Sequence, residues 1–229
     1  ALGAADPLGV AADLAAATED GRLAEKTDAG YALTLAAEIA ESRAKLDAAL
    51  RYVDRAVEAY GTQDDSPVGA ARALRARILF RVGRADEAMA ELEPLRPLLT
   101  QDADAAAYLS AALGAGGRTR TAEEWLTEAV EAVLDERRPA TTTAAGTGAA
   151  STAPIRTGSQ PAGGEPASAE DAGLLFFLLQ QRHRVRHLLG RSHDQHDNLA
   201  ERLETKLANA SARAATEPAD DLLFWPQAE

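Results

Sequence analysis

Apolar residues return every third or fourth position along most of the chain. In 45–60 the set Leu46, Ala49, Leu50, Val53, Ala56, Val57 and Tyr60 falls on one side of a 3.6-residue turn, which predicts an amphipathic helix. The same reading gives a helix over 30–42 before it. A further helix over 70–82 carries Leu74, Ile78, Leu79 and Val82 and is ended by Gly83. A helical pair spans 103–134 with its turn at Gly116 and Gly117. Upstream, 7–26 reads as a first helical segment, capped by Asp6, opened by Pro7 and broken near Gly21. The Gly, Asp, Ser and Pro content of 61–69 predicts a loop, and Asp86 is placed to cap the helix after Gly83. Pro94 and Pro97 should kink or end that helix.

Beyond 137 the pattern stops. Residues 138–168 hold Thr, Ala, Gly, Ser and Pro with almost no large side chain, a composition that predicts a disordered linker. Periodicity resumes with helices over 174–189 and 194–209, separated at Gly190, the second capped by Ser192 or Asp194. The expected organisation is therefore 1–137 as one helical domain, 138–168 as linker, and 169–229 as a helical hairpin with an apolar tail.

The three pairs of the first domain align on their turns at Ala44, Gly83 and Gly117. Five residues on stand Ala49, Ala88 and Ala122. Nine on stand Val53, Leu92 and Leu126, and twelve on Ala56, Leu95 and Ala129. Seven residues before each turn are Ala37, Ala76 and Ser110. Small residues let helices cross closely while large aliphatics fill the grooves beside them. The turns are 39 and 34 residues apart, and the second spacing resembles the tetratricopeptide repeat. The units extend over about 28–60, 69–100 and 103–135. The resemblance implies an all-α fold, a short solenoid of antiparallel hairpins with an extra C-terminal hairpin. Two features depart from the family pattern. Leu33, Arg72 and Ala106 stand where an aromatic is usual, and the closing Pro is missing. The stretch 182–203 is similar, weakly, to a segment after the repeats in some actinobacterial proteins of this type that end in a SEC-C module.

Composition supports helices. Ala, Leu, Glu and Arg dominate and strand formers are few. Arg outnumbers Lys, which is confined to Lys26, Lys45 and Lys206, as in a high-GC, actinobacterial genome. The net charge of −12 argues against nucleic-acid and anionic-membrane partners. Without cysteine there is no disulfide, Cys-held zinc or Cys nucleophile. No apolar run approaches the roughly 20 residues that span a bilayer, and the expected compartment is the cytoplasm.

Candidate chemistry is sparse. His183, His187, His193 and His196 lie within one short stretch and are ligand types that suit zinc. Arg182, Arg184, Arg186 and Arg191 oppose a cation there, which favours a solvated basic face. On 70–84, Arg77, Arg81 and Arg84 cluster without an intervening acid. The resemblance puts helix A along the binding groove, so Arg77, Arg81 and Arg84, with Glu38 and Phe80, form the candidate partner site. Guanidinium groups there suit an acidic peptide, unless Glu38 and Glu41 of the preceding unit already pair with them. Leu222, Leu223, Phe224 and Trp225 are an apolar tail expected to dock on the chain's own repeats, the alternatives being to cap the end of the solenoid or to bind a partner. Phosphate loops, nucleophile elbows and metalloprotease motifs are absent, so no enzyme activity and no cofactor are expected. The expected function is a non-catalytic scaffold binding a protein or peptide. The alternative is a metal-binding module or metal-dependent hydrolase on the His cluster. A third reading adds a catalytic or zinc module beyond Glu229.

Overall fold

A computed structural model describes residues 6–20, 23, 26–61, 66–136 and 169–216. The expected linker 138–168 and the tail residues Leu222 to Trp225 lie outside the described residues. Those described form helices α1 (Pro7–Glu19), α2 (Lys26–Ser42), α3 (Leu46–Tyr60), α4 (Ser66–Arg81), α5 (Ala85–Leu92), α6 (Ala103–Ala115), α7 (Thr119–Glu136), α8 (Ala169–Leu188) and α9 (Gln195–Thr216). A 3₁₀ segment, Glu93–Thr100, continues α5. The architecture is all-α, with helices packed in chain order and no strand among the described residues. None of these helices is long and apolar enough to cross a membrane.

Helix starts and stops follow local chemistry. The Asp6 side chain accepts the Gly9 N–H at 2.9 Å with Pro7 in the first turn, as expected. Helix α1 stops at Glu19, short of the expected 26. Helix α2 begins four residues before Gly30, and α4 takes in Ser66 to Gly69, which read as loop. Both glycines serve packing rather than turning. A Cβ on Gly30 would meet the Tyr60 ring at 2.6 Å, and one on Gly69 would meet Leu98 Cδ1 at 2.2 Å. Asp86 is not a cap. The capping position of α5 is Arg84, without a side-chain bond, and Asp86 sits in the first turn, where its charge suits the helix dipole. Pro94 and Pro97 end α5 after eight residues and turn its continuation into the 3₁₀ segment. In the C-terminal pair, α8 begins at Ala169 and α9 runs on to Thr216.

Four helix pairs share one turn. Ala44, Gly83, Gly117 and Gly190 have φ of 56°, 82°, 64° and 66°. After each, the next N–H reaches back five residues to a carbonyl: Lys45 to Ala40, Arg84 to Leu79, Arg118 to Leu113 and Arg191 to Arg186, all at 2.9 Å. Ala44 is the one alanine among these four and bears the left-handed strain that glycine avoids. Ala44→Gly is therefore expected to stabilise the chain by up to about 1 kcal/mol, read as a higher midpoint of thermal unfolding.

The main core runs through α4, α5, the 3₁₀ segment, α6, α7 and α8, joined by Leu203 of α9. Leu175, Leu178 and Leu179 are fully buried in it, so the pair α8 and α9 is docked on α6 and α7. A second cluster binds α2 and α3 to α4, and a third binds α1 to α2. Ala37, Ala40, Ala49, Ala76, Ala88, Ala112 and Ala122 are buried where helices cross. The stack is uneven. Helix α6 lies mainly on α4 and the 3₁₀ segment, and touches its own partner α7 less.

Candidate binding face

The first helix of each pair presents matching positions, counted back from its left-handed residue. Six before are Glu38, Arg77, Ala111 and Arg184. Three before are Glu41, Phe80, Gly114 and His187, and two before are Ser42, Arg81, Ala115 and Leu188. These residues define one face shared by α2, α4, α6 and α8.

Over α2 and α4 the face is tied together. Arg77 Nε lies 3.1 Å from both Glu41 oxygens and its Nη2 lies 2.5 Å from Oε2. Arg81 Nη1 reaches the Glu41 carbonyl at 3.1 Å and its carboxylate at 3.2 Å. Glu41 is only 5 % exposed, so two guanidinium groups share one buried carboxylate. The Tyr108 hydroxyl on α6 donates to Glu38 Oε1 at 2.6 Å, reaching past α4, and Arg77 stands over the Tyr108 ring at 6.0 Å. Burial, and then the Glu38 carboxylate, push the Tyr108 phenol above its ordinary value and keep it a donor. Tyr108→Phe is expected to cost about 1–2 kcal/mol, read from the midpoint of urea unfolding.

The remaining sequence candidates divide. Phe80 is partly buried with its ring against Gly116, where a Cβ would stand at 2.6 Å. Arg84 lies apart at the start of α5 and pairs with the exposed Glu87 at 2.5–2.7 Å. Over α6 the face is open. Ala111, Gly114 and Ala115 are exposed, with Phe80 and Arg81 on one side. From α8, exposed Arg184 and Leu188, the latter at 72 % exposure, hold the matching positions, while His187 turns to the cavity beside α9.

The histidines sit at the far end of the stack beside an ionic network that the sequence reading missed. Arg182 and Asp197 are 4 % and 3 % exposed, so this side of α8 is not the solvated face expected. Arg182 forks onto Asp194 at 3.1 and 2.6 Å and onto Thr127 Oγ1 of α7 at 3.0 Å. Arg186 reaches Glu123 at 3.2 Å, Asp194 at 3.1 Å and the Ser192 carbonyl at 2.6 Å. Arg191 adds to Glu123 at 3.3 Å. Asp194 caps α9, accepting the N–H groups of His196 and Asp197, while Asp197 Oδ2 accepts the Asp194 N–H at 2.9 Å. Burial alone would raise the Asp194 carboxyl. The bonds from Arg182 and the Asp197 N–H, with the charges of Arg182 and Arg186, outweigh it and hold the group well below the usual carboxylate range.

His183 Nδ1 is 3.0 Å from Asp197 Oδ1, and the His183 and His193 rings meet edge-on at 6.0 Å. Burial and the Arg182 charge lower His196, which favours its neutral form. A cavity of about 150 Å³ lies among His183, Arg186, His187, Arg191, His193 and Asp197. No group of three or more His, Asp or Glu side chains among the described residues is placed to hold a metal ion. A larger cleft of about 410 Å³ opens between the 3₁₀ segment and α7. There Arg96 stacks over Trp125 at 5.5 Å and pairs with Glu128.

No family model, curated protein or solved structure matches this chain.

Proposed function

We propose that the chain is a non-catalytic scaffold of the tetratricopeptide-repeat kind, acting in the cytoplasm, which holds an extended segment of another polypeptide on the face shared by α2, α4, α6 and α8. Four features support the repeat reading. The four turns have one geometry, small residues mark the helix crossings, helices pack in order, and a fourth pair continues the stack. Such stacks cannot bury one pair alone, so neighbours complete one another and leave a long continuous face.

The observation that carries the binding role is the open stretch over α6. Exposed Ala111, Gly114 and Ala115 form a low floor between Phe80 and Arg81 of α4 and Arg184 and Leu188 of α8. A low floor between cationic and apolar walls accepts an acidic, bulky ligand better than a flat surface does. Glu41 already neutralises much of the Arg77 and Arg81 charge, so Arg184 is the cation more accessible to a ligand.

Ala111→Trp fills the floor at an exposed position and should leave folding intact. Capture from the native host with the wild type and with Ala111→Trp, read by mass spectrometry, tests the reading. Partners recovered by the wild type should fall at least about tenfold with the variant, equivalent to about 1.4 kcal/mol. Equal recovery by both sinks the assignment of this face.

A further inference from the structure

The open stretch over α6 is an unpartnered helix face, and its chemistry narrows what covers it. The floor offers no side chain larger than a methyl group, while Phe80 and the exposed Leu188 supply apolar edges. Arg184 is exposed and makes no ion pair among the described residues. Arg77 and Arg81 are balanced by Glu41 and Glu38 on the same face, so Arg184 is the cation left for a ligand beside the floor. The complement is a short segment with acids followed by large apolar side chains. The sequence contains one, at 220–225: Asp220, Asp221, Leu222, Leu223, Phe224 and Trp225, with no basic residue anywhere in 217–229.

We propose that this face is occupied by residues 220–225 of a second copy of the chain. The proposal rests on the reading of the face given above and names its occupant. In this arrangement Asp220 and Asp221 meet Arg184, and the four apolar side chains lie over Ala111, Gly114 and Ala115 toward Leu188 and Phe80. Burying them removes the largest apolar cluster of 217–229 from water, a gain of about 1.5–3 kcal/mol for each side chain fully covered.

Chain length favours a second copy over the same one. Helix α9 ends at Thr216, beside the start of α8, because the two run antiparallel through the turn at Gly190. From there to the level of Arg184 is fifteen residues of helix, about 22 Å at 1.5 Å each. The chain must also cross from the α9 side of the pair to the open side, about one interhelix distance of 8–10 Å. Five residues, 217–221, span at most about 18 Å. A tail on its own chain meets Arg184 only with its backbone fully extended and both side chains outstretched, whereas a tail from another copy has no such limit. The contact is head-to-tail, with different patches on the two partners.

The test uses the full chain in three forms: wild type, Ala111→Trp with the floor filled, and Phe224→Ser with Trp225→Ser in the tail. Sedimentation and light scattering across a concentration series should show the wild type self-associating. Each variant alone should associate at least about tenfold more weakly. Mixed together, the two variants should form a heterodimer, since one keeps its tail and the other its open face. Arg184→Glu, at an exposed position, should weaken association as well and guards against a folding defect in Ala111→Trp. A wild type that stays monomeric, association that survives Ala111→Trp, or a mixture no stronger than its components overturns the proposal. So does a monomer in which the tail substitution alters hydrogen exchange of α6 and α8, since the tail then folds onto its own chain. If the wild type is monomeric while host partners are still lost with Ala111→Trp, the scaffold reading stands and only this occupant fails.

Discussion

Asp197→Ala is expected to lower the stability of the folded chain by about 1–3 kcal/mol, the cost of leaving the Asp194 N–H without its acceptor and of removing one carboxylate from a buried ionic network. Arg182 is 4 % exposed and its guanidinium is held between Asp194, Thr127 and Asp197. Removing Asp197 leaves Arg182 and Arg186 to share Asp194, and it strips the Asp194 N–H of its acceptor at the start of α9. The loss falls on the joint between α7, α8 and α9. Proteolysis and hydrogen exchange should thus show α8 and α9 loosening before the earlier helices. Asp197→Asn keeps an oxygen for the Asp194 N–H and should cost less than alanine. A urea midpoint that barely moves with Asp197→Ala means that water compensates the network and that the pair is held by its leucines alone.

Leu109→Ala is the second large effect, about 2–5 kcal/mol. Leu109 is fully buried in the main core, on the face of α6 opposite the open floor. Helix α6 touches α7 less than it touches α4 and the 3₁₀ segment, so apolar side chains hold it between neighbours. Truncation leaves a cavity that neighbouring backbone closes only in part. Leu188→Ala, at 72 % exposure, is the matched control and should stay within about 0.5 kcal/mol of the wild type. Equal losses in the two variants, measured by denaturant unfolding with an unchanged slope, contradict this placement of the core.

The turns were the most legible part of the chain because they depend on a single residue each. Gly83 and Gly117, with Ala44 between good helices, mark the left-handed positions directly. The fourth pair was read as a hairpin but not as a unit in register with the others. Its turn at Gly190 is the same, yet the positions seven before and five after the turn, which elsewhere hold small residues, carry His183 and Gln195. Both side chains are exposed, so close approach no longer selects for alanine there. Gly30 and Gly69 misled for the converse reason: contact with Tyr60 and Leu98 placed them, not backbone need.

At the candidate face, Arg77 and Arg81 were legible as a cluster, and Glu41 had been named among possible partners. The reach of Tyr108 to Glu38 depends on how two non-adjacent pairs curve toward each other, which spacing cannot encode. The same holds for Arg182 and Asp197. A run of arginines and histidines gives no sign of which side faces a carboxylate on the next helix.

The direct packing of α7 against α8 has a consequence for the order of events in folding. Thirty-two residues, 137–168, separate two helices that touch. Loop closure costs about 0.6 kcal/mol for each doubling of length, so relative to a four-residue connection this one adds about 2 kcal/mol. The first three pairs close over short connections and form early, whereas the fourth must find its seat by a longer search. Its attachment is then governed by tether length together with the Arg182 network. Changing the length of the tether shifts how often the last pair detaches.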